Sequence, residues 1–257
     1  MKYIPKPLVE TADISRGKTT LKSFLKSALS VVLVLAVLYF VLGLLGEFLA
    51  RTLPDRWECK LSRAATILAQ SDSNAVQRAQ DILAKLTAEE ALRQLDYRVF
   101  VIELGSPNAV AVPGGGIGLT PELLEAVRSE AGLAFVIAHE LGHHQHRHIL
   151  RGLGRRLILG LAAALLFNYD GLSSVDAAFR LAETGYSRRQ ERAADEFALR
   201  LVHQKYGDLQ EALEFFEQLQ RTNGDPLWQK YAGSHPLTAE RLEHLREFGR
   251  QLQTGRD

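Results

Sequence analysis

From Ser27 to Leu45 the chain reads SALSVVLVLAVLYFVLGLL, 19 residues without a charge, with Lys26 before them and Glu47 and Arg51 after. A run of that length can cross a hydrocarbon core as a helix. Beyond it the pattern changes. Residues 61–70 and 75–95 mix Ala, Leu, Gln and charged side chains at helical spacing, separated by the polar Ser71-Asp72-Ser73-Asn74, and predict two helices. Residues 97–104 (YRVFVIEL) are rich in β-branched and aromatic side chains, and residues 109–112 (AVAV) run into Pro113-Gly114-Gly115-Gly116. Both predict strands of a small sheet. Thr120 is placed to cap a helix starting at Pro121, and a second helix is expected from about Ser129 towards Leu150. From Asp176 onward the pattern predicts helices broken near Gly207 and at Gly224-Asp225-Pro226. The expected fold class is α+β, mainly α: one N-terminal transmembrane helix, then a helical domain with a small β-sheet.

The flanks of the apolar run suggest an orientation. Residues 1–26 hold six lysines and arginines against Glu10 and Asp13, whereas the other flank is nearly balanced. By the positive-inside rule the N-terminus stays cytoplasmic, and one crossing leaves the remainder extracytoplasmic. A cleaved signal peptide is the competing reading, but the run exceeds an ordinary h-region and Phe48-Leu49-Ala50 puts bulk where cleavage needs small residues. The expected organisation is a basic segment at 1–26, a span at 27–45, a helical lead-in at 52–95 and a main domain at 96–257. A second apolar run, residues 157–167, has only 11 residues and suits a buried or interfacial helix.

Composition narrows the chemistry. With 31 basic and 30 acidic residues, no strong field exists to attract nucleic acid. A single cysteine, Cys59, excludes an intramolecular disulfide framework and a Cys-rich zinc site. Any metal must be held by histidines and carboxylates.

Residues 139–143 read His-Glu-Leu-Gly-His within a strongly helical run. One turn apart on a helix, His139 and His143 point the same way and can share one zinc ion, while Glu140 can reach a water beside the metal as general base. The extended metzincin pattern would need Gly at 146 and His at 149, where the chain has His146 and Ile149. The third ligand then falls to a carboxylate on a later helix. Glu191 and Asp195, four apart in YSRRQERAAD, share a helical face, so Glu191 can ligate while Asp195 orients a histidine. A solvated face pairing with Arg188, Arg189 and Arg192 is the competing reading of that segment.

Taken together, HELGH and SRRQERAAD resemble the M48 family of Ste24-, HtpX- and Oma1-like zinc metallopeptidases. Asn108-Ala109-Val110-Ala111-Val112-Pro113-Gly114-Gly115 resembles the extended segment these proteins carry before the metal helix. Ser234-His235-Pro236 and Arg241 match their His-Pro followed by an arginine. The resemblance covers most of residues 95–245. It implies a zincin-like helical metalloprotease domain with zinc held by His139, His143 and Glu191, and polypeptide substrate received by the edge strand Ala109, Val110, Ala111 and Val112. Asn108 and His235 are implied near the metal, able to hydrogen-bond substrate or a developing oxyanion.

The remaining histidines, His144, His146 and His148, scatter round the expected helix and read as a solvated face. Residues 144–190 could include a mobile cover over the metal. The function expected is a membrane-anchored endopeptidase in quality control of misfolded or membrane-associated proteins. A bacterial inner membrane is the simplest setting and the mitochondrial inner membrane the alternative. The rival is a zinc-stabilised chaperone or assembly factor without proteolysis.

Overall fold

The computed structural model describes residues 20–65, 74–88, 90–152, 186–221, 228–236 and 238–255. Their elements are α1 (Leu21–Thr52), α2 (Asp55–Ala65), α3 (Asn74–Thr87), β1 (Arg98–Val101), β2 (Ala109–Val112), β3 (Gly116–Leu119), α4 (Pro121–Ala126), α5 (Glu130–Gln145), α6 (Arg188–Tyr206), α7 (Gln210–Arg221), α8 (Gln229–Ser234) and α9 (Ala239–Thr254). This is the mainly helical α+β class that the sequence predicts. The chain divides into two compact units between Leu42 and Gly43. α1 is a 32-residue helix through the apolar run, and Val31, Leu33, Val37, Phe40 and Leu44 stand exposed along it. Among the described residues no helix combines the length and apolarity that a membrane crossing requires, so the fold does not establish the span expected at 27–45.

In the second unit, short-range chemistry sets the helix starts. Thr120 accepts from the Leu123 N–H with Pro121 at the first position, and Ser129 accepts from the Gly132 N–H. Ser187 and Gln190 form a reciprocal capping box at the start of α6. Each cap satisfies donors that the first helical turn leaves free. The expected helix over 75–95 stops earlier, at Thr87. Beyond it, Arg93 leaves the helical path. Its guanidinium bonds Asp55 at 2.6 Å, Glu58, and the His144 carbonyl at 2.7 Å.

The sheet has the order β1-β3-β2, with β1 parallel and β2 antiparallel to β3. β3 (GIGL) is absent from the predicted elements because its glycines hide the alternation that marks a strand. A Cβ on Gly116 or Gly118 would lie 3.0–3.1 Å from the Phe100 ring of β1, so that ring needs the bare backbone. The β2–β3 turn has a similar demand. Gly115 sits at φ +100°, and a Cβ there would stand 2.7 Å from the Asp96 backbone.

α5 is the centre of the core. Leu133, Phe135, Ile137 and Leu141 are all buried, and Phe135 meets Phe216 edge-on at 4.6 Å. Burying each such side chain contributes about 1.5–3 kcal/mol. That sum is what lets the same helix also bury polar side chains. The apolar run at 157–167 and most of the expected cover lie outside the described residues.

Candidate metal centre

His139 and His143 project from α5 one turn apart, with their Nε2 atoms separated by 3.1 Å. α6 crosses the helix at Gly142, where a Cβ would stand 2.9 Å from Ala194 Cα. That close approach brings Glu191 to the same point, Oε1 lying 3.4 Å from His143 Nε2 and Oε2 3.6 Å from His139 Nε2. His235, just past α8, adds Nδ1 at 3.2 Å from His139 Nε2 and 3.3 Å from both Glu191 oxygens. One donor atom from each of these four buried residues lies within 4.8 Å of the others.

The chemistry of that set fits a divalent cation. A tetrahedral site with ligand bonds of about 2.0–2.1 Å has edges of roughly 3.3–3.4 Å, and the nearest approaches here bracket that value. Three imidazole nitrogens and a carboxylate converging on one point cannot all satisfy one another by hydrogen bonds, since each contact needs one donor. Burial holds His143 well below its ordinary pKa, and so neutral, as ligation requires. Burial pushes Glu191 upward, but the charges and hydrogen bonds of His235, His143 and Arg241 more than offset this and hold the carboxyl well below its usual range.

This geometry lies inside a matched family segment. The sequence model of peptidase family M48 matches residues 73–248, more than half of the 257-residue chain. The chain belongs to peptidase family M48. Over 181 residues it is 28% identical to mitochondrial metalloendopeptidase OMA1 of Arabidopsis thaliana, covering 66% of this chain and 37% of that protein. The protein of the same name in Schizosaccharomyces pombe is 29% identical over 181 residues, covering 68% and 53%. Protease HtpX homolog 1 of Saccharolobus solfataricus is 40% identical over 83 residues, 30% of this chain and 26% of that one. The chain thus spans about half, or less, of the length of these relatives.

Around the donors, this M48 chain places the other expected residues. Glu140 is fully buried, with the Ala111 backbone of β2 as a hydrogen-bonding neighbour of its carboxylate. Desolvation above all raises its pKa, against the pull of His235 and His139; His235 Nε2 lies 3.5 Å away. Asp195 Oδ1 is 2.9 Å from His139 Nδ1. Arg241 grips Asp195 with two bonds of 2.6 and 2.7 Å and Glu191 with a third contact of 2.6 Å. The reading of 188–195 as a solvated face therefore fails for Glu191 and Asp195, which are buried, while Arg188, Arg189 and Arg192 are exposed.

Asn108 is buried too, but its Oδ1 accepts from Ala109 N–H at 2.9 Å and Ser234 Oγ at 3.2 Å. It fastens the start of β2 to the residue before His235. Ala109, Val110, Ala111 and Val112 form β2 at one edge of the sheet, and all four are buried. A cavity of about 230 Å³ beside Glu191 is bounded in part by Tyr186, Arg192 and Pro236.

The solvated face expected for the later histidines is corrected for two of the three. His144 and His148 are buried, while His146 is exposed as expected. His144 Nε2 donates to the Gly116 carbonyl of β3 at 3.0 Å, tying the end of α5 to the sheet, and burial lowers its pKa to about 4. The angular scatter was read on an unbroken helix, whereas α5 ends at Gln145. Tyr186 was also missed: its ring stacks on His143 with centroids 3.7 Å apart. A lone aromatic ahead of a helix carries no periodic signal that would have marked it.

Proposed function

We propose that this chain is a membrane-anchored, zinc-dependent endopeptidase, with His139, His143 and Glu191 as the ligands and Glu140 as general base. The observation that carries the reading is the Glu140 carboxylate: buried and raised in pKa by desolvation, one residue from a converging donor set. A bound zinc ion supplies Lewis-acid polarisation and an acidified water. Glu140 takes a proton during attack and returns it to the leaving amine. β2 offers its outer edge to an extended polypeptide backbone, as sheet edges do in strand addition. Asp195, clamped by Arg241, accepts the Nδ1 proton of His139 and fixes its tautomer. Asn108 holds the strand and the His235 segment together.

His235 faces both the donors and Glu140. With His139, His143 and Glu191 as the ligands, His235 Nε2, 3.5 Å from Glu140, would be placed to hydrogen-bond the developing oxyanion. The four-donor arrangement also favours a second reading, a zinc-stabilised chaperone or assembly factor without proteolysis. The apolar run at 27–45 and its basic flank support an anchor with the N-terminus in the cytoplasm and the main domain extracytoplasmic. A bacterial inner membrane is the proposed setting; the mitochondrial names of two relatives keep the mitochondrial inner membrane as the alternative. Misfolded or membrane-associated polypeptides are the proposed substrates.

The deciding experiment compares the full-length chain in detergent with its Glu140→Gln variant for bound zinc and casein cleavage. Equal zinc, with cleavage reduced about 10²–10⁴-fold in the variant, is the expected result for a general base. Zinc in both without cleavage in either favours the chaperone reading, and no zinc in either removes the metal site altogether.

A further inference from the structure

His148 lies five residues beyond His143, and an unbroken α-helix would carry it about 140° round the axis from that ligand. α5 does not run on. It is capped at His146 and turns through Arg147, whose φ of +56° is the only positive value at a non-glycine residue among those described. A left-handed backbone at a long side chain persists only where its surroundings hold it, and such residues gather at functional sites. Arg147 is held: Nη1 donates to the Leu53 carbonyl at 2.5 Å and Nη2 to Asp55 at 3.0 Å.

The turn folds His148 back onto the metal helix. Its ring is 3% exposed, and its Nδ1 lies 3.0 Å from His143 Nδ1. His146 stacks on its ring, centroids 5.3 Å apart, and Tyr186, stacked on His143, bounds it from another side at 6.1 Å. The chain's strained turn and two aromatic neighbours thus serve to set one imidazole against another.

We propose that His148 is a positioning residue for His143, accepting its Nδ1 proton and so fixing the tautomer that turns a bare Nε2 towards the cation. The assignment of protons follows from the contacts. His143 Nε2 belongs to the donor set, so its ring proton sits on Nδ1. The facing His148 Nδ1 must then be the acceptor, with its own proton on Nε2. The two ligand histidines are oriented by different chemistry. His139 has the carboxylate of Asp195 at its Nδ1, whereas His143 has a neutral ring. A neutral acceptor raises ligand basicity less than a carboxylate does, so His148 sets orientation more than donor strength.

This inference rests on the zinc-site reading, and the test separates the two. The parent full-length chain is compared with His148→Phe, which keeps a ring and removes the acceptor, and with His148→Asn, whose amide oxygen can occupy the Nδ1 position. Zinc affinity is read by competition with a chromophoric chelator, and the melting temperature of each metal-free protein is read alongside. The expected result is zinc binding about 10–100-fold weaker in His148→Phe, recovery to within a few-fold of the parent in His148→Asn, and equal metal-free melting temperatures. Parental zinc affinity in His148→Phe overturns the assignment. So does an equal loss in both variants with lowered metal-free melting, which marks His148 as packing only. A parent that binds no zinc overturns the underlying site reading and this assignment with it.

Discussion

Among single residues, Arg241 concentrates the energetics of the site. Its guanidinium is buried beside two buried carboxylates, Asp195 and Glu191, and their charges outweigh its own desolvation and keep it protonated. Removing one partner of a buried ion pair leaves the other charge without compensation, at a cost of about 3–5 kcal/mol. Arg241→Leu is therefore expected to lower the unfolding free energy by an amount in that range, read as a lower denaturant midpoint, and to weaken zinc retention. A midpoint within error of the parent would show that the two carboxylates find other partners. Lysine is a poor substitute, because a point charge cannot make the paired bonds to Asp195. Helical spacing puts His139 with His143, and Glu191 with Asp195, on shared faces, and the two motifs together made them candidates. Arg241 was reached through the family resemblance, and its double grip had no linear signature.

Between elements, the crossing of α5 and α6 decides whether His139, His143 and Glu191 meet. At Gly142 the two backbones approach so closely that a Cβ would press on Ala194 Cα at 2.9 Å. Gly142→Ala is expected to cost about 1–3 kcal/mol through overpacking and to weaken zinc binding by drawing Glu191 away from the histidines. Thermal melting with and without added zinc checks both parts: an unchanged zinc-induced shift would mean that the helices part elsewhere. The helix starts at Thr120 and Ser129 were legible because capping is local, whereas the cap at Ser187 was not singled out. α3 was overextended because Arg93 is drawn off by Asp55 and Glu58, residues far back in the chain. β3 was missed because its glycines answer to Phe100 on a neighbouring strand.

Across the second unit, ionic contacts join the residues after the apolar run to the metal helix. Asp55 binds Arg93 and Arg147, and Arg93 reaches the His144 carbonyl. Burial raises the Asp55 carboxyl, but hydrogen bonding and charge from Arg93 outweigh it, and the net shift is below the ordinary 3.8. The folded state therefore binds fewer protons than the unfolded chain, so this contribution is complete above that value and is lost as pH falls through the lower folded value. Asp55→Asn is expected to lower the urea midpoint at pH 7 and to differ less from the parent at pH 3. A gap that stays constant would exclude the ionic contribution. The orientation is tested separately: a reporter fused after Asp257 should be active only outside the cytoplasm, and cytoplasmic activity would reverse the assignment.

The sequence by itself determined the candidate donor types, their helical spacing, the apolar run and the helix starts near residues 75, 121 and 129, because these depend on neighbours within a turn or two. Only the tertiary structure decided how closely His235 approaches His139 and Glu191, that His148 folds back on His143, and that His144 and Arg241 are buried. Those outcomes depend on which distant backbones approach one another, at Gly142 and Ala194 or through the turn at Arg147, and no local pattern encodes that distance.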